Sequence, residues 1–175
     1  LSFSFEKHLY KPLIHISDGE VKVSPVALNE GEKRFVKDLQ RYYEQNKSDF
    51  KNRELYLLRN LGRGRGIGFF QAHNFYPDFM MWLVEGEKQK IIFVDPHGIR
   101  MSQAGFNDPK IKFHDEIKVL ERQIGDPDVV LESYVVSVTP FSKVGLWDKK
   151  LTKADFEENH VLFQDNAKYI GTFFD

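Results

Sequence analysis

Residues 78–97, DFMMWLVEGEKQKIIFVDPH, decide the fold of this protein. They contain two apolar runs, 79–84 and 91–94, which are continuous rather than alternating, as is usual for strands that are buried on both faces. Between the runs lies a short polar segment with one glycine, which is suited to a tight turn. The stretch therefore predicts an antiparallel hairpin at the centre of a sheet.

The register of this hairpin brings acidic side chains together. If Gly86 and Glu87 form the turn, counting back without a bulge sets Asp78 directly opposite Asp95. Opposed residues have Cβ atoms about 4.5–5.5 Å apart, and two facing carboxylates repel each other unless a proton or cation lies between them. Because side chains alternate along a strand, His97 should project from the same face as Asp95. We therefore expect a cation site at this end of the hairpin.

Helices and further strands are predicted on both sides of the hairpin. Apolar residues at helical spacing predict an amphipathic helix from Asn29 to about residue 46. A second helix should run from a cap at Asp108 to a stop at Gly125. The other predictions are short strands at 13–16 and 21–23, a strand at 54–61, an apolar run at 67–70, a strand at 129–139, a short helix opened by a capping box at 152–155, and an apolar tail at 161–174 that packs on the core.

This order of elements favours one class of fold. The central strands form a hairpin instead of alternating with helices throughout, which argues against a doubly wound nucleotide-binding sheet. We expect an α/β fold with a mixed β-sheet, flanked by helices. At 175 residues with 41% hydrophobic content, the chain has the size and composition of a single domain, 1–175.

Composition narrows the chemistry and the setting. The absence of cysteine removes disulfides, thiolate zinc sites and cysteine nucleophiles, and fits an intracellular, cytoplasmic protein. No apolar run approaches the roughly 18–20 residues of a membrane span, so no membrane partner is expected. With 25 basic and 26 acidic residues, any binding of nucleic acid must come from a local patch. The start at Leu1 rather than Met leads us to expect a fragment of a longer protein.

Glu32 has two interpretations. It lies on the core-facing stripe of the first helix, one turn before Phe35 and Val36, and a buried carboxylate needs a partner. The facing aspartates with their cation are one such partner. Alternatively, Glu32 forms a capping box with Asn29, three residues earlier, and has no contact with a metal.

The histidines also have competing interpretations. His97 is either a member of the cation site or a structural turn residue before Gly98. The remaining candidates, His73, His114 and His160, are scattered, and we expect them to be solvated or hydrogen-bonded rather than metal ligands.

The glycine-rich stretch at 62–68 is basic but lacks the Lys-Ser/Thr ending of a phosphate-binding P-loop, so an ATP site is not expected there. Arg63 and Arg65 in this loop either contact the backbone of DNA or belong to a solvated turn.

The acidic residues of the hairpin match a known signature. Tyr76-Pro77-Asp78, followed after 16 residues by Asp95-Pro96-His97, resembles the PD-(D/E)XK signature of the restriction-endonuclease-like superfamily, with His97 in place of the usual lysine. The flanking segments 28–32, 74–79, 93–96 and 137–140, and the Gly-Arg-Gly loop, resemble the nuclease domain of type III restriction enzyme Res subunits and their helicase-fused relatives. The resemblance extends from about residue 8 to 159–163.

This resemblance implies a magnesium-dependent deoxyribonuclease with a restriction-endonuclease-like mixed sheet. In such a nuclease Asp78, Asp95 and Glu32 would bind Mg²⁺, for which Mn²⁺ can substitute, and the Pro96 carbonyl can also ligate. His97 stands at the position of the lysine that orients or activates water. The implied partners are DNA, a helicase/ATPase motor in the same polypeptide, and a DNA-methyltransferase subunit.

The histidine at position 97 leaves several outcomes open. An unperturbed histidine has a pKa near ~6.5 and is mostly neutral at pH 7, whereas lysine is cationic. His97 is therefore a general base, a phosphate-orienting donor, a cause of altered metal preference, or a sign of lost activity. Two alternatives to a nuclease follow: a catalytically decayed nuclease-like domain that binds DNA or docks a partner, and a metal-dependent hydrolase of small phosphoesters with His97 as a ligand.

Overall fold

The computed structural model describes residues 27–60, 67–69, 75–99, 104–144 and 151–175, and the backbone of two short paired strands, β1 (Ser4–Phe5) and β2 (His8–Leu9). Some of the predictions lie outside the described residues: the strands at 13–16 and 21–23, the arginines Arg63 and Arg65, and His73.

The main body of the protein is one five-stranded sheet with helices on both sides. The strands lie in the order β3-β4-β5-β6-β7. The pairs β3–β4 and β4–β5 are antiparallel, and the pairs β5–β6 and β6–β7 are parallel, so the sheet is mixed, as predicted. The elements are α1 (Glu30–Gln45), β3 (Glu54–Arg59), β4 (Phe79–Glu85), β5 (Lys88–His97), α2 (Pro109–Ile124), β6 (Val129–Ser137), α3 (Lys153–Glu158) and β7 (Val161–Phe163).

The central hairpin has the predicted register. Glu85 pairs with Lys88 beside the turn, and the ladder runs without a bulge to Phe79 opposite Val94. Gly86 in the turn has a φ of 61°, a conformation that glycine adopts without the steric cost of a side chain. The turn chemistry and the two apolar runs were therefore sufficient to fix this pairing.

The end of β5 extends beyond its antiparallel partner. Since β4 begins at Phe79, residues 95–97 pair only with β6 among the described strands. Pro96 suits this position because proline has no N–H to donate and is found at strand edges. This end of the sheet is therefore partly open beside β5.

The two sides of the sheet have separate cores, and β5 contributes to both. Val94 packs on the α1 side with Phe35, Leu39 and Met81. Phe93 packs on the opposite side, together with Phe113 of α2. Because side chains alternate along β5, Asp95 shares the α2 side with Phe93.

The ends of α2 are fixed by local signals, as predicted. The Asp108 side chain accepts a hydrogen bond from the Lys110 N–H, Pro109 is the first helical residue, and Gly125 ends the helix with a φ of 66°. Phe113 and Ile117 of α2 are buried, whereas Ile124 in its last turn is 48% exposed.

The C-terminal part of the chain closes the fold. The capping box between Thr152 and Asp155 is formed at the start of α3, and β7 then adds to the edge of the sheet. The following residues Tyr169, Ile170 and Phe173 are buried on the α1 side, which confirms that the tail packs on the core. Among the described residues, none of the helices combines the length and apolar character needed to cross a membrane.

Candidate functional site

Two aspartates meet at the open end of the hairpin. Asp78 lies one residue before β4, and its side chain is hydrogen-bonded to that of Asp95, which is 2% exposed. A hydrogen bond between two carboxyl groups requires a proton on one of them. Burial, followed by the negative charges of Asp95 and Glu32, raises the pKa of Asp78 to about 8. At neutral pH the pair therefore holds one proton.

Asn60 fixes the backbone that carries Asp78. Its N–H donates to the Asp78 carbonyl at 2.8 Å, and its side-chain amide donates to the carbonyls of Pro77 at 2.9 Å and Ile67 at 2.7 Å. Its side-chain oxygen accepts from the Ile67 N–H at 2.9 Å. Sequence reasoning missed this residue because a single asparagine after a strand carries no signal of such distant partners.

Lys110 is a further member of the site that the sequence did not indicate. It lies in the first turn of α2, and its Nζ is 2.8 Å from Oδ2 of Asp95. The same ammonium group lies 5.8 Å from the centroid of the Phe75 ring, a cation–π contact. The buried carboxylate thus has a counter-charge from a helix on the same side of the sheet.

His97 lies beside this ion pair at the rim of a pocket. The pocket has a volume of about 270 Å³, and its walls include His97, Lys110 and Ile111. His97 is exposed as a whole residue, but neighbouring protein atoms shield its ring from part of the solvent. This shielding lowers the pKa of His97, and the positive charge of Lys110 lowers it further. The imidazole is therefore neutral at pH 7 and able to accept a proton.

Glu32 has the alternative partner that the sequence suggested. The capping box is formed, with the Asn29 N–H donating to Glu32 Oε2 at 3.0 Å and the Glu32 N–H donating to Asn29 Oδ1 at 2.9 Å. Arg59 donates to the same Oε2 at 2.9 Å. Burial raises the pKa of Glu32, and the Arg59 charge opposes this shift.

Glu32 reaches the aspartates from the other side of the sheet. It belongs to α1, whereas Asp95 projects toward α2. Their charges still interact, because the Asp95 carboxylate contributes to the raised pKa of Glu32. Within the described ranges, no three acidic or histidine side chains converge as a metal-binding group. Arg59 and Lys110 instead balance the negative charges in this structure.

Three further predicted site features stay predictions. Pro96 lies within β5 opposite Val136, and the role of its carbonyl as a metal ligand stays a prediction. Arg63 and Arg65 lie outside the described residues, so their contact with DNA is a prediction as before.

Two other histidines, His114 and His160, lie together. The rings of His114 and His160 stack with centroids 4.6 Å apart, and His160 also stacks on Tyr134 at 4.5 Å. Nδ1 of His160 is 3.0 Å from the Ser133 carbonyl oxygen. The contacts of these two histidines are therefore ring stacking and hydrogen bonding, as expected for residues that contribute to packing.

The donors around the aspartate pair are of a type that suits a hard divalent cation. Carboxylate oxygens are side-chain ligands that suit both Mg²⁺ and Mn²⁺. The aspartate pair is stabilised by a proton and by the positive charge of Lys110. A bound cation would stabilise it in the same way. Comparisons of this chain with protein-family models, with curated proteins and with solved structures found no match.

Proposed function

We propose that this protein is a divalent-metal-dependent endonuclease that hydrolyses phosphodiester bonds in DNA, with a restriction-endonuclease-like fold. The observation that carries the proposal is the pair of half-buried Asp78 and buried Asp95 at the open end of the central hairpin. Beside the pair lies His97, which is neutral at pH 7 and which lines a pocket together with Lys110, the ion-pair partner of Asp95. The resemblance of these residues to the PD-(D/E)XK signature supplies the substrate class.

Each residue has a defined role in this proposal. Asp78 and Asp95 hold Mg²⁺, assisted by Glu32 and by the Pro96 carbonyl. When bound, the ion lowers the pKa of a water molecule and neutralises charge on the phosphate. His97 accepts the proton of the attacking water, which its neutral imidazole permits.

The wider setting is proposed from the resemblance to type III restriction Res subunits. The domain 1–175 is attached to a helicase/ATPase motor in a longer cytoplasmic polypeptide that acts with a DNA-methyltransferase subunit. Arg63 and Arg65 bind the DNA backbone. The competing hypotheses are the decayed docking domain and the hydrolase of small phosphoesters.

The nuclease proposal is tested with an end-labelled duplex oligonucleotide in Mg²⁺ or Mn²⁺. The wild type should release shorter products, and Asp95→Asn should release none, because the buried site loses a negative charge with almost no change in shape. The matched control is Asp126→Asn, an exposed carboxylate beyond the opposite end of α2, which should cleave like the wild type.

A chromogenic phosphodiester and a metal titration separate the alternatives. If the protein hydrolyses bis(p-nitrophenyl) phosphate rapidly but leaves DNA uncut, the small-phosphoester hydrolase is favoured. If DNA is not cleaved and calorimetry detects no binding of Mn²⁺, the decayed domain is favoured and the nuclease proposal is contradicted.

A further inference from the structure

Lys110 brings a positive charge to the candidate site from outside the sequence signature. It follows Asp95 by 15 positions, across the connection between β5 and α2, and its Nζ lies 2.8 Å from Asp95 Oδ2. The cap at Asp108 and the contact with the Phe75 ring hold the first turn of α2 and the ammonium group beside the carboxylate. Its position is therefore determined by several independent contacts.

The exposure of Lys110 distinguishes it from the other cation near the site. The Lys110 side chain is 36% exposed and lines the pocket beside His97. Arg59 is 16% exposed and pairs with Glu32 on the α1 side. A phosphate in the pocket can therefore be reached by the Lys110 ammonium group, whereas Arg59 faces the interior.

A phosphate in the pocket needs a cation beside it, and Lys110 is the lysine that lines the pocket. Hydrolysis of a phosphodiester builds negative charge on the phosphate oxygens, and fixed cations stabilise it in the transition state. Lys110 can supply this positive charge, because its side chain is exposed at the pocket.

We propose that Lys110 is a catalytic residue that binds the scissile phosphate and supplies the ammonium group missing from position 97. This inference rests on the proposed nuclease function. In the reaction, the water oxygen bonds to phosphorus, and the bond from phosphorus to the leaving sugar oxygen breaks. His97 accepts the water proton, and the leaving oxygen takes a proton from solvent. Lys110 keeps its protons throughout and exchanges Asp95 for a phosphate oxygen.

The test removes the ammonium group of Lys110 and then restores a positive charge at the same position. Lys110→Met should reduce the rate of duplex cleavage on the order of 100-fold, as the loss of a transition-state donor does. Lys110→Arg, which keeps a positive charge at the same position and leaves His97 in place, should recover at least about tenfold of that loss. The matched control Lys112→Met, an exposed lysine two residues along α2, should cleave like the wild type.

Calorimetric titration with Mn²⁺ provides a readout that does not depend on cleavage. Lys110→Met should bind Mn²⁺ at least as tightly as the wild type, because Asp95 loses its competing counter-ion. Thermal unfolding shows which variants are folded. If Lys110→Met is unstable, Lys110→Arg replaces it in the comparison and should retain more activity, because it keeps the positive charge.

The outcomes separate this inference from the nuclease proposal. If the wild type and Lys110→Met cleave equally, Lys110 is not catalytic, but the nuclease function stands. If Lys110→Met loses Mn²⁺ binding together with cleavage, the lysine only maintains the structure of the site, and the inference is overturned. If the folded wild type does not cleave DNA, both the nuclease proposal and this inference fail.

Discussion

The charge state of Asp78 depends on the fold. Burial raises its pKa to about 8 from an ordinary value of 3.8, and the charges of Asp95 and Glu32 add to this shift, while Lys110 opposes it. The folded protein therefore binds a proton at Asp78 that the unfolded chain releases near pH 4. By linkage, this contribution to stability is fully present below about pH 4 and is lost as the pH rises through about 8.

Asp78→Asn should remove this pH dependence. The asparagine amide donates to Asp95 as the protonated acid does, but it does not titrate. In EDTA, the free energy of unfolding of the wild type should fall relative to that of Asp78→Asn between pH 5 and pH 8.5. Urea unfolding at four pH values measures the difference, which isolates Asp78 from the other titrating groups. A constant difference across this range would contradict the assigned charge state.

The Arg59–Glu32 pair should show the cost of an unpaired buried charge. The two side chains are 16% and 8% exposed. Arg59→Met leaves the Glu32 carboxylate buried without its cation and should destabilise the protein by about 3 kcal/mol. Glu32→Gln removes the charge but keeps an oxygen for the capping box. The double variant should therefore be more stable than Arg59→Met alone in urea unfolding, whereas simple additivity of the two losses would contradict this account.

The members of the site differ in how far the sequence predicts them. The juxtaposition of Asp78 and Asp95 follows from the hairpin register, because every pair in an unbulged ladder is fixed by the turn. Lys110 and Asn60 do not follow from any local pattern, because their contacts depend on how α2 and the end of β3 pack. Glu32 was correctly expected to be buried, but its Arg59 partner comes from a strand 27 residues away.

At the scale of elements, α2 connects stability to the site. It begins next to the pocket and places Lys110 in its first turn, immediately after the Asp108 cap. Asp108→Ala should destabilise the protein by about 1 kcal/mol, because the Lys110 N–H loses its acceptor. Asp108→Asn keeps an acceptor oxygen and should stay within about 0.5 kcal/mol of the wild type in urea unfolding. Equal losses in the two variants would show that the cap is not the stabilising feature.

The elements themselves are largely predictable from local chemistry. Caps at Asn29, Asp108 and Thr152 mark three helix starts, and each cap is formed by the side chain expected from the sequence. Strand ends are less predictable. The strands that begin at Glu54 and Val129 end two residues earlier than their apolar patterns suggest, because sheet pairing stops there.

For the molecule as a whole, the site lies where two parts of the sheet meet. The antiparallel hairpin supplies Asp78 and Asp95, and the parallel half places β6 and α2 beside the end of β5. Helix α1 covers the opposite side and carries Glu32. The sequence predicts a mixed sheet, but the strand order and the parallel addition of β7 depend on contacts between distant segments that no local pattern encodes.

Cleavage of supercoiled plasmid tests the central claim most directly, because a closed circle has no ends and changes form only if an internal phosphodiester bond is cut. With Mg²⁺, the wild-type protein should convert the plasmid to open-circular and linear DNA. EDTA or the substitution Asp95→Asn should abolish the conversion. Plasmid that stays supercoiled with both Mg²⁺ and Mn²⁺, or that Asp95→Asn cleaves as fast as the wild type, would contradict the account.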